Sequence, residues 1–304
     1  MVSLPLFSLG RAVALLSTLT RVLPSAAASI PPNTPNPASL LQARAIAWQA
    51  RSGMTTAQYQ TTFDNFVSSG YRLTCVAGYT SNNDPRFAAI WDKSLPGVPW
   101  VSRSGMTSAQ YQSNFDTYVS QGYRPKHVYG YAVGNAPYFA AIWDKSPAPG
   151  NGAWAARHGL TSDQYQTVSN TFTSQGYTPV HVSGYAENGQ ARYAALWEKP
   201  SGGYPWLSRH GLTSAQYQQA ASTWTAQGYR PVKVNGYVVG GVDYYTTIWD
   251  KAPSPPWVTR HGLTAGQYQA EYDRLVPQGY RATVVSAYTL YGNQDRYAAI
   301  WVKE

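Results

Sequence analysis

Five arginines and three histidines occupy two adjacent recurring positions in this sequence, and they are its first candidates for chemistry. Arg51, Arg103, Arg157, Arg209 and Arg260 each stand two residues before a glycine; the residue between is His158, His210 or His261 in three copies and Ser52 or Ser104 in two. Histidine titrates near neutrality and arginine holds anions with a planar fork of donors, so the eight form a candidate set of ligand or anion sites. The competing reading, a polar turn before a helix, is favoured. No metal-ligand spacing surrounds any of these histidines, and consecutive ones lie about 50 residues apart. Neither a metal nor a cofactor is expected. Repetition also works against catalysis, which needs one asymmetric constellation.

Other reactive side chains are few. Cys75 is the only cysteine, so no intramolecular disulfide forms; its counterparts in the other copies are His127, His181, Lys233 and Val284, the mark of a tolerant strand position.

The elements that position these residues are five copies of one module, plainest from Trp100 to Lys145. Opening tryptophans recur at Trp48, Trp100, Trp154, Trp206 and Trp257, and a period of this length decides the architecture before any single residue does. Thr107 with Gln110 predicts a capping box, matched by Thr55/Gln58, Thr161/Gln164, Thr213/Gln216 and Thr264/Gln267. An apolar face through Tyr111, Phe115, Tyr118 and Val119 follows, and Gly122 ends the helix. Two strands come next, 123–131 and 139–145, joined by a variable loop; a further short strand is expected at 100–102. The fold class expected is α+β: five tandem α-β-β modules of about 52 residues in a compact array, a closed pseudo-fivefold ring or an arc. The closing tryptophans Trp91, Trp143, Trp197, Trp249 and Trp301, in Ala-Ala-Ile-Trp-like strands, belong in the core.

Short Pro- and Gly-rich joints separate the modules. The acids before them, Asp92, Asp144, Glu198 and Asp250, are expected to pair with the Arg beyond the joint, at 103, 157, 209 and 260. The fifth copy has Val302 instead, which leans toward an arc or an imperfectly closed ring.

Residues 1–28, with the apolar run Ala12–Leu19 and Ala26-Ala27-Ala28, read as a secretory signal peptide, and 29–47 as a spacer rich in Pro, Asn and Ser. One repeat domain, 48–304, follows, with modules at 48–93, 100–145, 154–199, 206–251 and 257–304. Without residues 1–28 the formal charge falls from +9 to +7. That charge is dispersed, so nucleic acid is not an expected partner, and no segment is long and apolar enough to span a membrane.

The ordered motif Arg-[His/Ser]-Gly-[Leu/Met]-Thr-x-x-Gln-Tyr-Gln, Gly-Tyr-[Arg/Thr]-Pro, Gly-Tyr, Ala-Ala-Ile-Trp-Asp-Lys resembles bacterial tandem repeat domain 1. It is similar to the N-terminal domain of fungal polyglycine hydrolases, over residues 48–304. The resemblance implies a non-catalytic domain, because in that family the nucleophilic serine belongs to a second, β-lactamase-like domain with a Ser-x-x-Lys motif. The residue three before each of the seven lysines here is Ile, Tyr, Ile, Leu, Arg, Ile or Ile, never Ser. A stand-alone form of the non-catalytic domain is the expectation.

The functional expectation is a secreted, extracellular binding module for a polysaccharide or a protein surface; the sequence does not address its oligomeric state. Two alternatives stand beside it: a hydrolase-type enzyme with an Arg/His site at the centre of the ring, and a purely structural or adhesive protein. Convergence of His158, His210 and His261 within about 8 Å would favour the enzyme or an anion site.

Overall fold

The computed structural model describes residues 46–150, 152–200 and 202–304. The signal peptide expected at 1–28, and the spacer at 29–47 as far as residue 45, lie outside the described residues.

Each module is a three-stranded antiparallel sheet with one helix, in the order strand, helix, strand, strand. The opening strands are β1 (Trp48–Thr55), β4 (Trp100–Thr107), β7 (Trp154–Leu160), β10 (Trp206–Thr213) and β13 (Trp257–Leu263). The helices are α1 (Thr56–Ser68), α2 (Ser108–Ser120), α3 (Ser162–Ser174), α4 (Ser214–Ala226) and α5 (Ala265–Leu275). Hairpins follow: β2 (Arg72–Ser81) with β3 (Asp84–Asp92), β5 (Arg124–Val133) with β6 (Ala136–Asp144), and β8 (Thr178–Glu187) with β9 (Gln190–Glu198). The last two are β11 (Arg230–Val239) with β12 (Val242–Asp250) and β14 (Tyr280–Leu290) with β15 (Gln294–Lys303). In every sheet the last strand lies in the middle, paired with both others.

The helix starts follow from the capping boxes. In all five, the Thr hydroxyl accepts from the Gln backbone N–H while the Gln side chain accepts from the Thr N–H, satisfying two otherwise orphaned donors. One expectation changes. The segment at 100–102 is no short extra strand, and the Arg-x-Gly stretch is no turn: the strand runs on to Thr107 with a bulge between Arg103 and Met106. Gly105 at φ 66° makes this possible, because only glycine takes the left-handed region at no cost. A three-stranded sheet results.

The helix covers its own sheet through aromatic contact. Tyr111 stacks on Phe139 at 5.0 Å and lies 6.0 Å from Trp143. Trp91, Trp143, Trp197, Trp249 and Trp301 are all fully buried, as the sequence predicts for the closing strand. The opening tryptophans are only half-buried, and four of them pack against an aromatic ring of the preceding module. Trp100 meets Phe63, Trp154 meets Phe115, Trp257 meets Trp249, and Trp48 meets Tyr272 of module five.

That last contact closes the ring, and three others join the same seam: Cys75 Sγ to Val285 O, Tyr79 to Tyr297 through their hydroxyls, and Arg281 to Asp92. The absent acid at Val302 does not mark an open end.

Four Gly-Tyr pairs on the inner strands set how closely the modules approach. A Cβ on Gly130 would lie 2.3 Å from the Tyr185 ring, and Gly78, Gly184 and Gly236 meet Tyr131, Tyr237 and Tyr288 in the same way. Gly130→Ala is therefore expected to destabilise the fold by roughly 1–3 kcal/mol, the usual cost of overpacking. Chemical denaturation checks it; an unchanged midpoint would mean that the seam gives way freely.

Candidate functional site

The side chains that converge in this molecule lie on the ring axis, brought there by the inner strands β2, β5, β8, β11 and β14. Three layers are stacked along it. The first is Cys75, His127, His181, Lys233 and Val284. His127 and His181 donate from Nε2 to the carbonyls of Val76 and Val128 at 2.6 Å, each in the preceding module, and their rings stand 4.5 Å apart. Burial, with the Lys233 charge adding to it, pushes the His127 pKa down to about 3. His181 is driven well below its ordinary value by burial, His127 and Lys233. Both are neutral at physiological pH.

The second layer is Ala77, Tyr129, Ser183, Asn235 and Ser286. Ser183, Asn235 and Ser286 accept from the N–H of Gly130, Gly184 and Gly236 in the module before. Tyr129 crosses the axis: from module two its hydroxyl reaches Ser286 Oγ at 2.7 Å and donates to Ala287 O at 3.0 Å in module five. It plugs the ring. The third layer is the five tyrosines Tyr79, Tyr131, Tyr185, Tyr237 and Tyr288, which with Tyr129 as floor leave a well of about 110 Å³. Small-molecule sites usually enclose about 300–1,000 Å³. The well is too small for such a ligand.

Around its mouth stand the hairpin tips. Four of the five carry asparagine: Asn82 and Asn83, Asn135, Asn188, and Asn293. The tips brace one another, Asn82 N–H donating to Asn293 Oδ1 and Asn188 N–H to Asn135 O, both at 3.0 Å. Tyr291, on the longest tip, is 75 % exposed and lies directly over the Gly241 backbone of the preceding module's tip. An exposed aromatic ring beside a crown of exposed amides offers a stacking face and paired donors and acceptors.

The residues singled out by type and spacing are placed elsewhere. His158, His210 and His261 do not come together. Each packs edge-on against two rings of the preceding module: Tyr111 and Phe139, Tyr165 and Tyr193, Tyr217 and Tyr245. They are seam residues at three successive joints, and burial lowers the pKa of all three. Arg51, Arg103, Arg157 and Arg209 lie over Phe66, Tyr118, Phe172 and Trp224, at 5.3–5.8 Å, on the helices of their own modules. Arg260 pairs with Glu271 at 3.3 Å.

The acids at the joints therefore have other partners than those expected. Asp144 pairs with Arg72 at 2.9 Å, Glu198 with Arg124, and Asp92 with Arg281 at 3.0 Å, each acid meeting the Gly-Tyr-Arg-Pro-type arginine of the module before it. The pairing runs backward because the acid turns into its joint, where Asp144 accepts from the Ser146 N–H and hydroxyl. Module four completes the pattern. Module three has Thr178 at this arginine position, so Asp250 lacks a cross-module partner; module five has Val302, so Arg230 lacks one too. The two leftovers face each other in register and pair within their own sheet at 2.8 Å.

Among the described residues, no group of three or more His, Cys, Asp or Glu is placed to hold a metal, and no helix is long and apolar enough to cross a membrane. A family model described as "Polyglycine hydrolase-like, structural repeat" matches the chain five times, at residues 45–94, 97–146, 151–200, 203–252 and 254–304. With the repeat matched along the whole ring, the chain belongs to the polyglycine-hydrolase-like structural-repeat family.

Proposed function

We propose that this is a secreted, non-catalytic binding module that recognises an extracellular polysaccharide through its hairpin crown. The observation that carries the reading is the gathering of all five hairpin tips at one mouth of the axis, with Asn82, Asn83, Asn135, Asn188 and Asn293 around it and Tyr291 exposed beside them. Amides meet sugar hydroxyls as both donors and acceptors, and an aromatic face covers the apolar side of a pyranose. Hydrogen bonds from tip to tip lower the ordering cost of binding. Tyr129 closes the centre of the ring, which speaks against a hydrolase site there.

The test is retention of the purified protein on insoluble cell-wall polysaccharides and a glycan array, at low and at raised salt. Retention on one glycan that survives salt is expected. Retention lost with salt would report only the basic surface, since screening removes exposed charge attraction. No retention would turn the reading to a protein partner.

A further inference from the structure

Of the seven lysines, six hold their charge against a partner. Lys93, Lys145, Lys199, Lys251 and Lys303 place their ammonium groups 4.6–5.7 Å from the ring centroids of Tyr71, Tyr123, Tyr177, Tyr229 and Tyr280. Lys126 Nζ is 3.6 Å from Glu198 Oε1. Lys233 has no such partner among the described residues.

The cause is visible at the axis. Lys233 occupies the position from which His127 and His181 reach a carbonyl of the preceding module. The equivalent carbonyl for Lys233 is that of Val182, and the Thr246 hydroxyl already donates to it at 2.9 Å. Thr246 stands where the other modules have Ala88, Ala140, Ala194 and Ala298. The groups at the level of Lys233 from the other inner strands are Cys75, His127, His181 and Val284, with no carboxylate among them. Burial of the ammonium lowers its pKa, with the Cys75 thiol pulling weakly the other way. The side chain nonetheless keeps partial exposure.

We propose that Lys233 is the amine nucleophile of this ring, a site that captures small aldehydes at the axis as imines. The uncharged Nζ attacks the carbonyl carbon, forming the C–N bond as the C=O pair moves to oxygen. Oxygen takes a proton, Nζ gives one up to solvent, and the carbinolamine loses one water to leave C=N. Nothing is oxidised or reduced in this step. Desolvated lysines without a counter-ion are the ones that do such chemistry near neutrality.

Competitive reductive methylation tests it on the native protein, with limiting formaldehyde and cyanoborohydride at neutral pH and peptide mass spectrometry as the readout. Lys233 is expected to be methylated several-fold faster than each of the other six lysines, and to lose that lead when the protein is unfolded in denaturant. A rate at Lys233 equal to or below the others in the native protein overturns the proposal.

Discussion

Asp144→Ala is expected to lower the stability of the ring by about 3–5 kcal/mol, the usual cost of removing one partner from a buried ion pair. Asp144 is 1 % exposed and Arg72 is 8 % exposed, so the abandoned guanidinium has little water to turn to. The same carboxylate also accepts from the Ser146 N–H and hydroxyl, so the substitution loosens the joint after module two along with the seam. Arg72→Met with Asp144→Leu should recover most of the loss, because replacing both charges with apolar groups removes the desolvation penalty with the attraction. Denaturant melts of the three proteins decide the matter. If the single and double variants unfold alike, the pair is not what holds modules one and two.

The second large effect is acid instability centred on the axis. His127 and His181 are neutral and buried in the folded ring but take up protons once the chain unfolds, with an ordinary histidine pKa of about 6.5. A folded-state value depressed below the unfolded one means that stability is full above about pH 6.5 and falls as pH drops toward the folded value, about 3 for His127. Each histidine then contributes up to ~1.4 kcal/mol per pH unit within that window. Asp144 acts in the same direction further down. Burial raises its pKa, but hydrogen bonds from Ser146, the charge of Lys126 and the hydrogen bond from Arg72 outweigh that and hold it low, so its contribution is lost as pH falls through the carboxylate range. His127→Gln with His181→Gln should flatten the slope of stability between pH 6.5 and 5, where the carboxylate plays little part. A slope unchanged by both substitutions would mean that the axial histidines are hydrated and titrate normally.

How far the sequence carries toward this structure differs from one residue set to the next. The helix starts are legible because Thr107 and Gln110 satisfy each other locally, with no help from distant residues. The burial of Trp143 is legible because its strand places small residues beside it. The acid–arginine pairing is only half legible. Asp144 faces Arg124 in register within its own sheet yet bonds Arg72 of the module before, and nothing in the linear order fixes that direction.

The axis is hidden for a physical reason. Five identical side chains cannot fill the centre of a fivefold ring: five copies of Tyr129 would collide, whereas one tyrosine with Ala77, Ser183, Asn235 and Ser286 fills it. Variation at Cys75, His127, His181, Lys233 and Val284 mimics tolerance for the same reason. Divergence at a position between recurring neighbours of a repeat is the signal that could have found the axis. The histidines at 158, 210 and 261 stand out by recurring, and recurrence marks the seams, where every module meets its neighbour alike.

The most direct measurement on the binding reading is retention of Tyr291→Ala and of an Asn82→Gly/Asn83→Gly variant beside the unaltered protein, on the glycan that holds it at raised salt. Tyr291 is largely exposed, and glycine adopts the left-handed backbone that Asn82 and Asn83 hold at φ 53° and 61°, so neither change should shift the melting temperature appreciably. Loss of retention in both variants, at unchanged thermal stability, is the predicted result. Retention equal to that of the unaltered protein would contradict it and move recognition off the hairpin crown.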